Sequence, residues 1–196
     1  PHARFSRTLV GEGWVFGVKF RPGAFAPFME APIGHLTNAS LPVEKVFGDA
    51  IVPVEAAIRA SNDDTRAITI FERFLEPRLP AYDPELDRVL EIMRVALDDP
   101  SLSDVDTFAA RTAVPVRTLQ RLFKEHIGVA PKWVLRRFRI QEAAERAMRD
   151  PDVSFASLAH SLGYADQAHF ARDFRAHVGK TPTEYVAHCA GAKLGR

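Results

Sequence analysis

Two short runs of this chain carry the side chains that recognise base edges and phosphates. Arg117, Gln120, Arg121 and Lys124 share one face of a helical stretch whose other face is Leu119 and Phe123. Gln167, His169, Arg172 and Arg175 stand in the same way opposite Phe170 and Phe174, and Lys180 extends the second basic run. An Arg fork fits guanine O6 and N7, Gln fits adenine N6 and N7, and Lys is a point charge for phosphate. A helix that is apolar behind and rich in Arg, Gln and His in front suits a major groove. Any one such face is also what ordinary solvation produces, so the weight falls on repetition.

The repetition is present. Phe108-Ala109 recurs as Leu158-Ala159, fifty residues on. Leu119, Arg121, Phe123, His126, Gly128 and Pro131 recur as Phe170, Arg172, Phe174, His177, Gly179 and Pro182, fifty-one residues on. The extra residue falls in the turn, where insertions are easiest to accommodate. Each copy has the same logic: a short helix with an apolar-Ala pair, where the small Ala lets a second helix cross closely, then a tight turn holding Ala113 or Gly163, then the Arg-bearing helix. Gly128 and Gly179 are expected to close those helices in the left-handed conformation. This is a doubled helix-turn-helix, spanning about 104–130 and 154–180.

Between the copies, Pro131 to Asp150 reads as one linker helix (about 131–150), with Pro131 in its first turn. Twenty helical residues span about 30 Å, close to the roughly 34 Å between successive major grooves on one DNA face. Arg136, Arg137 and Arg139 on this helix are candidates for phosphate contact or for plain solubility, with Arg136 retained as a DNA-binding candidate.

The front half differs in charge and pattern. Residues 1–100 hold 11 Lys and Arg against 15 Asp and Glu, and residues 101–196 hold 15 against 10. An acidic part joined to a basic one is a coarse footprint of a nucleic-acid module attached to something else. Trp14, Phe16, Val18 and Phe20 alternate, which predicts a half-buried strand, paired with residues 4–10. Arg21-Pro22-Gly23 reads as a turn and 24–41 as irregular. Helices are expected over 43–60, over 64–79 with Ile68, Phe71, Leu75 and Leu79 inward, and over 83–98 with Leu86, Leu90, Met93 and Leu97 inward. The expected fold is mainly α: two helix-turn-helix subdomains joined by a linker helix, preceded by a small α+β remnant with one or two strands. The division falls into 1–80, a partial regulatory or sensor domain, and 81–196, the DNA-binding domain.

Other chemistries find little support. There is no Gly-rich phosphate loop, no His-x-x-x-His pair and no nucleophile elbow, so catalytic residues, metal ligands and cofactors are all expected to be absent. His126 and His177 hold equivalent repeat positions, which favours a structural or phosphate-facing role. The lone Cys189 excludes an internal disulfide, and no leader or membrane-spanning run is visible. A cytoplasmic protein without a membrane partner is expected. The competing function is a small-molecule-sensing or protein-interaction module that keeps the helix-turn-helix units only as scaffold.

The segment from about Val105 to Ala187 resembles the DNA-binding domain of the AraC/XylS family of bacterial transcription regulators. Leu158-Ala159, Gly163-Tyr164, Asp166-Gln167, His169-Phe170, Arg172, Phe174, Gly179 and Thr181-Pro182 carry the resemblance best, and Leu119-Gln120-Arg121-Leu122-Phe123-Lys124 with Gly128 supports it. It implies a transcription regulator acting on double-stranded DNA, with RNA polymerase as a further candidate partner. A small-molecule effector and a homodimer through residues 1–80 stay open. The chain departs from the family at Pro115, where a Ser usually caps the first reading helix; Pro cannot supply that side-chain cap. Phe16 to Gly23 resembles the end of the N-terminal domain of one branch of the family, in which further strands come first; the chain is expected to lack the front of that domain.

Overall fold

Asp and Pro residues write most of the helix starts in this chain. A computed structural model describes residue 10 and residues 13–150 and 152–193, with side chains through residue 189. Its helices are α1 (Glu44–Phe47), α2 (Val52–Arg59), α3 (Asp64–Leu75), α4 (Pro84–Asp98), α5 (Val105–Thr112), α6 (Val116–Leu122), α7 (Pro131–Arg149), α8 (Phe155–Ser161), α9 (Gln167–Val178) and α10 (Pro182–Lys193). Asp63, Asp83, Asp104 and Asp166 each accept a backbone N–H in the first turn of α3, α4, α5 and α9, satisfying a donor the helix leaves open. Thr181 and Glu184 close α10 reciprocally: the Thr181 N–H donates to the Glu184 carboxylate at 2.7 Å, and the Glu184 N–H donates to Thr181 Oγ1 at 3.3 Å.

The front of the chain corrects the sequence reading. No strand forms among the described residues. Trp14–Phe20 pairs its backbone with no neighbouring strand there, and residues 4–9, expected to supply that partner, lie outside the described residues. Only Phe16 and Phe20 turn inward, while Trp14 and Val18 stay exposed. Phe16 meets Phe71 at 6.0 Å, and Phe20 meets Phe25 and Phe28 at 5.1 and 5.5 Å. Phe47 bridges Phe28 and Phe74. A chain of aromatic rings against α3, rather than a pleated ladder, organises this part.

The helix expected over 43–60 breaks in two. Gly48 has φ +66° and a 3₁₀ turn, Gly48–Ile51, separates α1 from α2. The buried stripes of α3 and α4 are also rotated from the expected ones. Ala67 and Phe74 are buried on α3 while Ile68 is exposed, and α4 buries Val89, Ile92, Met93 and Ala96 while Leu97 is exposed. On α4 the buried face is the one that joins the core of Phe108, Leu119, Leu122 and Phe123, and Met93 belongs to both the expected and the observed stripe.

Two cores follow. The first gathers the buried face of α4 with Leu102, Phe108, Val114, Leu119, Leu122, Phe123, Val134 and Leu135. The second gathers Ile140, Ala143, Leu158, Ala159, Leu162, Tyr164, Phe170 and Phe174. α7 thus gives its first half to one core and its second half to the other, a single beam through both. In addition, residues 23–37 dock on the end of the first helix-turn-helix. A Cβ on Gly23, at φ +90°, would press on the Val89 and Ile127 side chains at 3.0 and 3.3 Å, and Gly128, at φ +82°, packs against the Ile33–Gly34 backbone. The Thr37 hydroxyl donates to the Gly128 carbonyl at 2.6 Å.

Candidate nucleic-acid interface

The two repeated units are built to one plan. After α5, Ala113 takes φ +52° and the Val114 N–H reaches back to the Ala109 carbonyl at 3.1 Å. After α8, Gly163 takes φ +72° and the Tyr164 N–H reaches the Ala159 carbonyl at 3.0 Å. Gly128 and Gly179 both sit at φ +82° and ψ +1° past the reading helices, the left-handed closure expected from the sequence. Behind the reading helices, Leu119 and Phe123 in one unit, and Phe170 and Phe174 in the other, are fully buried.

The starts and ends of the reading helices differ. α9 has its Asp166 cap, with the His169 N–H donating to the carboxylate at 2.6 Å. α6 starts after Pro115 with no side-chain cap, as the Pro dictates. α6 continues into a wider π-type turn, Phe123–Ile127, closed by the Gly128 N–H on the Phe123 carbonyl; α9 runs regularly to Val178.

The buried backs turn the expected readers outward. Arg117, Gln120 and Lys124 are exposed on the first unit, as are Gln167, Arg172 and Arg175 on the second. Lys180 is half-buried past Gly179. No ion pair holds Arg117, Lys124, Arg172 or Arg175 among the described residues.

Two of the expected DNA-binding residues are held by carboxylates, and a third lies beside one. Arg121 donates through Nη1 and Nη2 to both oxygens of Glu85, at 3.2 and 2.8 Å, and through Nη1 to Glu125 at 2.5 Å. Glu85 also faces His126 Nε2 at 3.2 Å. Hydrogen bonds from Arg121 and then His126 pull the Glu85 carboxyl down to about 2. Arg136 turns its fork onto Asp173 of α9, with Nε donating at 2.7 Å and Nη2 on the second oxygen. Asp173 is 4 % exposed. Burial raises its carboxyl, but Arg136, with His169 and His177, outweighs that and holds it below its ordinary value. The third, His169, lies with Nε2 3.9 Å from Asp173 and its ring edge-on to Tyr164 at 5.2 Å.

Arg139 is not a phosphate contact. It is buried, with its guanidinium 4.5 Å from the Tyr164 ring centroid. Helical spacing puts Arg136 and Arg139 on the inner side of α7 and leaves Arg137 outside. Burial pushes the Tyr164 hydroxyl up to about 12, with Asp173 adding to the rise. His177 takes a structural place, its Nδ1 2.9 Å from the Asp173 carbonyl.

The counter-charges are what the sequence reading missed. Asp173 was legible: it stands between Phe170 and Phe174, fifty-one residues after Leu122, so a carboxylate holds an inward position that its repeat fills with an apolar residue. Glu125, four residues after Arg121, was legible as a helical pair. Glu85 comes from thirty-six residues away and only the tertiary fold brings it in.

This doubled frame is that of a helix-turn-helix protein. Residues 108–188 match the helix-turn-helix domain family, and residues 2–42 match a domain of unknown function (DUF6597). The chain is 37 % identical over 76 residues to the HTH-type transcriptional activator RhaS of Pectobacterium carotovorum, covering 39 % of this chain and 27 % of that protein. It is 36 % identical over 91 residues to a putative AraC-like transcription regulator of Streptomyces lividans, 46 % of this chain and 30 % of the relative. It is 32 % identical over 81 residues to the probable transcription factor PqrA of Proteus vulgaris, 41 % of this chain and 66 % of that one. The chain therefore spans less than a third of the length of RhaS and of the Streptomyces regulator. No solved structure matches it. Residues 108–188 are an AraC-type helix-turn-helix domain. Among the described residues no helix is long and apolar enough to cross a membrane.

Proposed function

We propose that this chain is a sequence-specific DNA-binding transcription regulator whose two heads read adjacent major-groove half-sites from one face of the duplex. The observation that carries this is α7. Its Val134 and Leu135 sit in the first core and its Ile140 and Ala143 in the second, so one rigid 19-residue helix sets the spacing of two exposed Arg and Gln arrays. Such a helix is about 28 Å long, near the groove repeat, and the mismatch favours some bending of the DNA. The base readers are Arg117, Gln120, Gln167, Arg172 and Arg121 once freed, with His169 nearby. Lys124, Arg175 and Lys180 take phosphate. Arg136 acts as the brace between α7 and α9. Residues 81–196 form the DNA-reading part, and residues 1–80 are the candidate for effector sensing or self-association.

The test is selection of bound duplexes from random DNA, followed by moving the two enriched half-sites apart. With the second head made intramolecular by α7, its contribution is that of a tethered site. Inserting about five base pairs turns one half-site to the opposite face and should reduce binding to that of a single head. Affinity unchanged by the insertion would refute two-headed reading. A log-log salt slope near zero would refute phosphate engagement altogether.

A further inference from the structure

The clearest asymmetry on the reading surface is at Arg121. Its repeat counterpart, Arg172, stands in no ion pair among the described residues. Arg121 gives three N–H groups to two carboxylates. The position equivalent to Glu125 in the second unit is Ala176, so α9 has no carboxylate there. Glu85 sits in the first turn of α4, directly after Pro84, and is oriented by its own backbone N–H on the Asp83 cap at 2.8 Å. α4 is fixed in turn by four buried residues in the first core.

A guanidinium between two carboxylates is a poor phosphate ligand. The end-on fork needed for a phosphate or for guanine O6 and N7 is taken by Glu85, and a second carboxylate, Glu125, shares the same guanidinium. We propose that Glu85 is an internal competitor for Arg121, a carboxylate that occupies the fork in place of DNA and keeps the first head weaker than the second. This rests on the DNA-binding reading above and adds a regulation to it. Release needs only side-chain rotation, because Glu85, Arg121 and Glu125 are each between 42 and 48 % exposed, whereas α4 itself is locked in the core. Anything that draws Glu85 away strengthens the first head.

The test uses the full chain and a duplex enriched from random DNA by the wild-type protein. Glu85→Gln removes the charge and keeps the shape, and Glu91→Gln, one to two turns along α4 and bonded to Arg94 rather than Arg121, is the control for general charge. For an exposed carboxylate pair the gain expected from Glu85→Gln is about two- to fivefold in affinity, confined to duplexes that carry the base pair Arg121 reads. The gain should vanish when Arg121→Gln is added. Equal gains from Glu85→Gln and Glu91→Gln, a gain that survives Arg121→Gln, or weaker binding by Glu85→Gln would each overturn the proposal; the last would make Glu85 a presenter of Arg121. Thermal unfolding of each variant separates these outcomes from a loss of fold. The failure of the DNA-binding reading looks different: no duplex is enriched and no variant shows salt-dependent binding.

Discussion

The two heads share a skeleton and differ in how their charges are held. Both place Phe residues behind the reading helix, both turn through a left-handed residue between their helices, and both end at glycines with the same dihedral angles. Yet the first starts at an uncapped Pro115, ends in a π-type turn pinned by residues 33–37, and has its arginine clasped by Glu85 and Glu125. The second starts on a full Asp166 cap, leaves Arg172 free of ion pairs among the described residues, and hides its carboxylate, Asp173, against the linker helix. Repeated packing therefore fixes where a reading helix lies, while single acidic residues decide which of its cations can reach a ligand.

The largest expected effects test the shared skeleton. Phe123→Ala and Phe174→Ala empty equivalent, fully buried positions, and each should cost about 3–5 kcal/mol. Because α7 belongs to both cores, either variant should lower the stability of both heads, seen as one common shift in denaturant unfolding. Two transitions, with only the mutated head shifted, would break the idea of a single beam.

Next comes the buried pair. Asp173→Asn keeps the shape but leaves Arg136 with a neutral partner, and should cost about 2 kcal/mol, less than full loss of a buried pair because Arg136 can still reach water. The sign with pH follows from the lowered carboxyl of Asp173. Its stabilising contribution is fully present above its unfolded value and is lost as pH falls through the folded one. Acid unfolding of the Asn variant should thus show a shallower loss of stability than the wild type as pH falls below about 4, the ordinary carboxylate range. An equally steep acid limb would place the pH sensitivity elsewhere.

On DNA the heads should respond unequally. Arg172→Ala should weaken specific binding by about 1–3 kcal/mol and relax preference at one base position. Arg121→Ala should cost less, since its guanidinium is already engaged. Equal losses, measured by titration against the same duplex, would erase the proposed difference. A loss from Arg172→Ala that is uniform over all sequences would reassign it to phosphate.

The smallest effects concern the turns. Gly163→Ala puts a Cβ into a left-handed position with only ordinary contacts nearby, so the cost is backbone strain of about 1 kcal/mol. Ala113→Gly relieves the same strain in the other head and should gain up to about 1 kcal/mol, offset in part by chain entropy. Opposite signs in thermal melts would sharpen the match between the turns.

The sequence by itself determined the frame of the C-terminal half. Its apolar residues at helical spacing, its Asp and Pro helix starts, its Gly closures and its internal repeat are local signals, and local signals survive reading one residue at a time. It also marked Pro115 as a bare helix start, which the structure bears out. At the front, the strand expected over Trp14–Phe20 does not form among the described residues: alternation states only what a strand would look like, and Phe71 with Phe25 and Phe28 gathers Phe16 and Phe20 into a packed aromatic cluster. The tertiary structure alone decided which faces of α3 and α4 are buried, and which arginines are held by carboxylates from other helices. Asp173 to Arg136 and Glu85 to Arg121 span thirty-seven and thirty-six residues. Electrostatic pairing over that separation depends on where the helices cross, and that is set by the cores rather than by any run of residues.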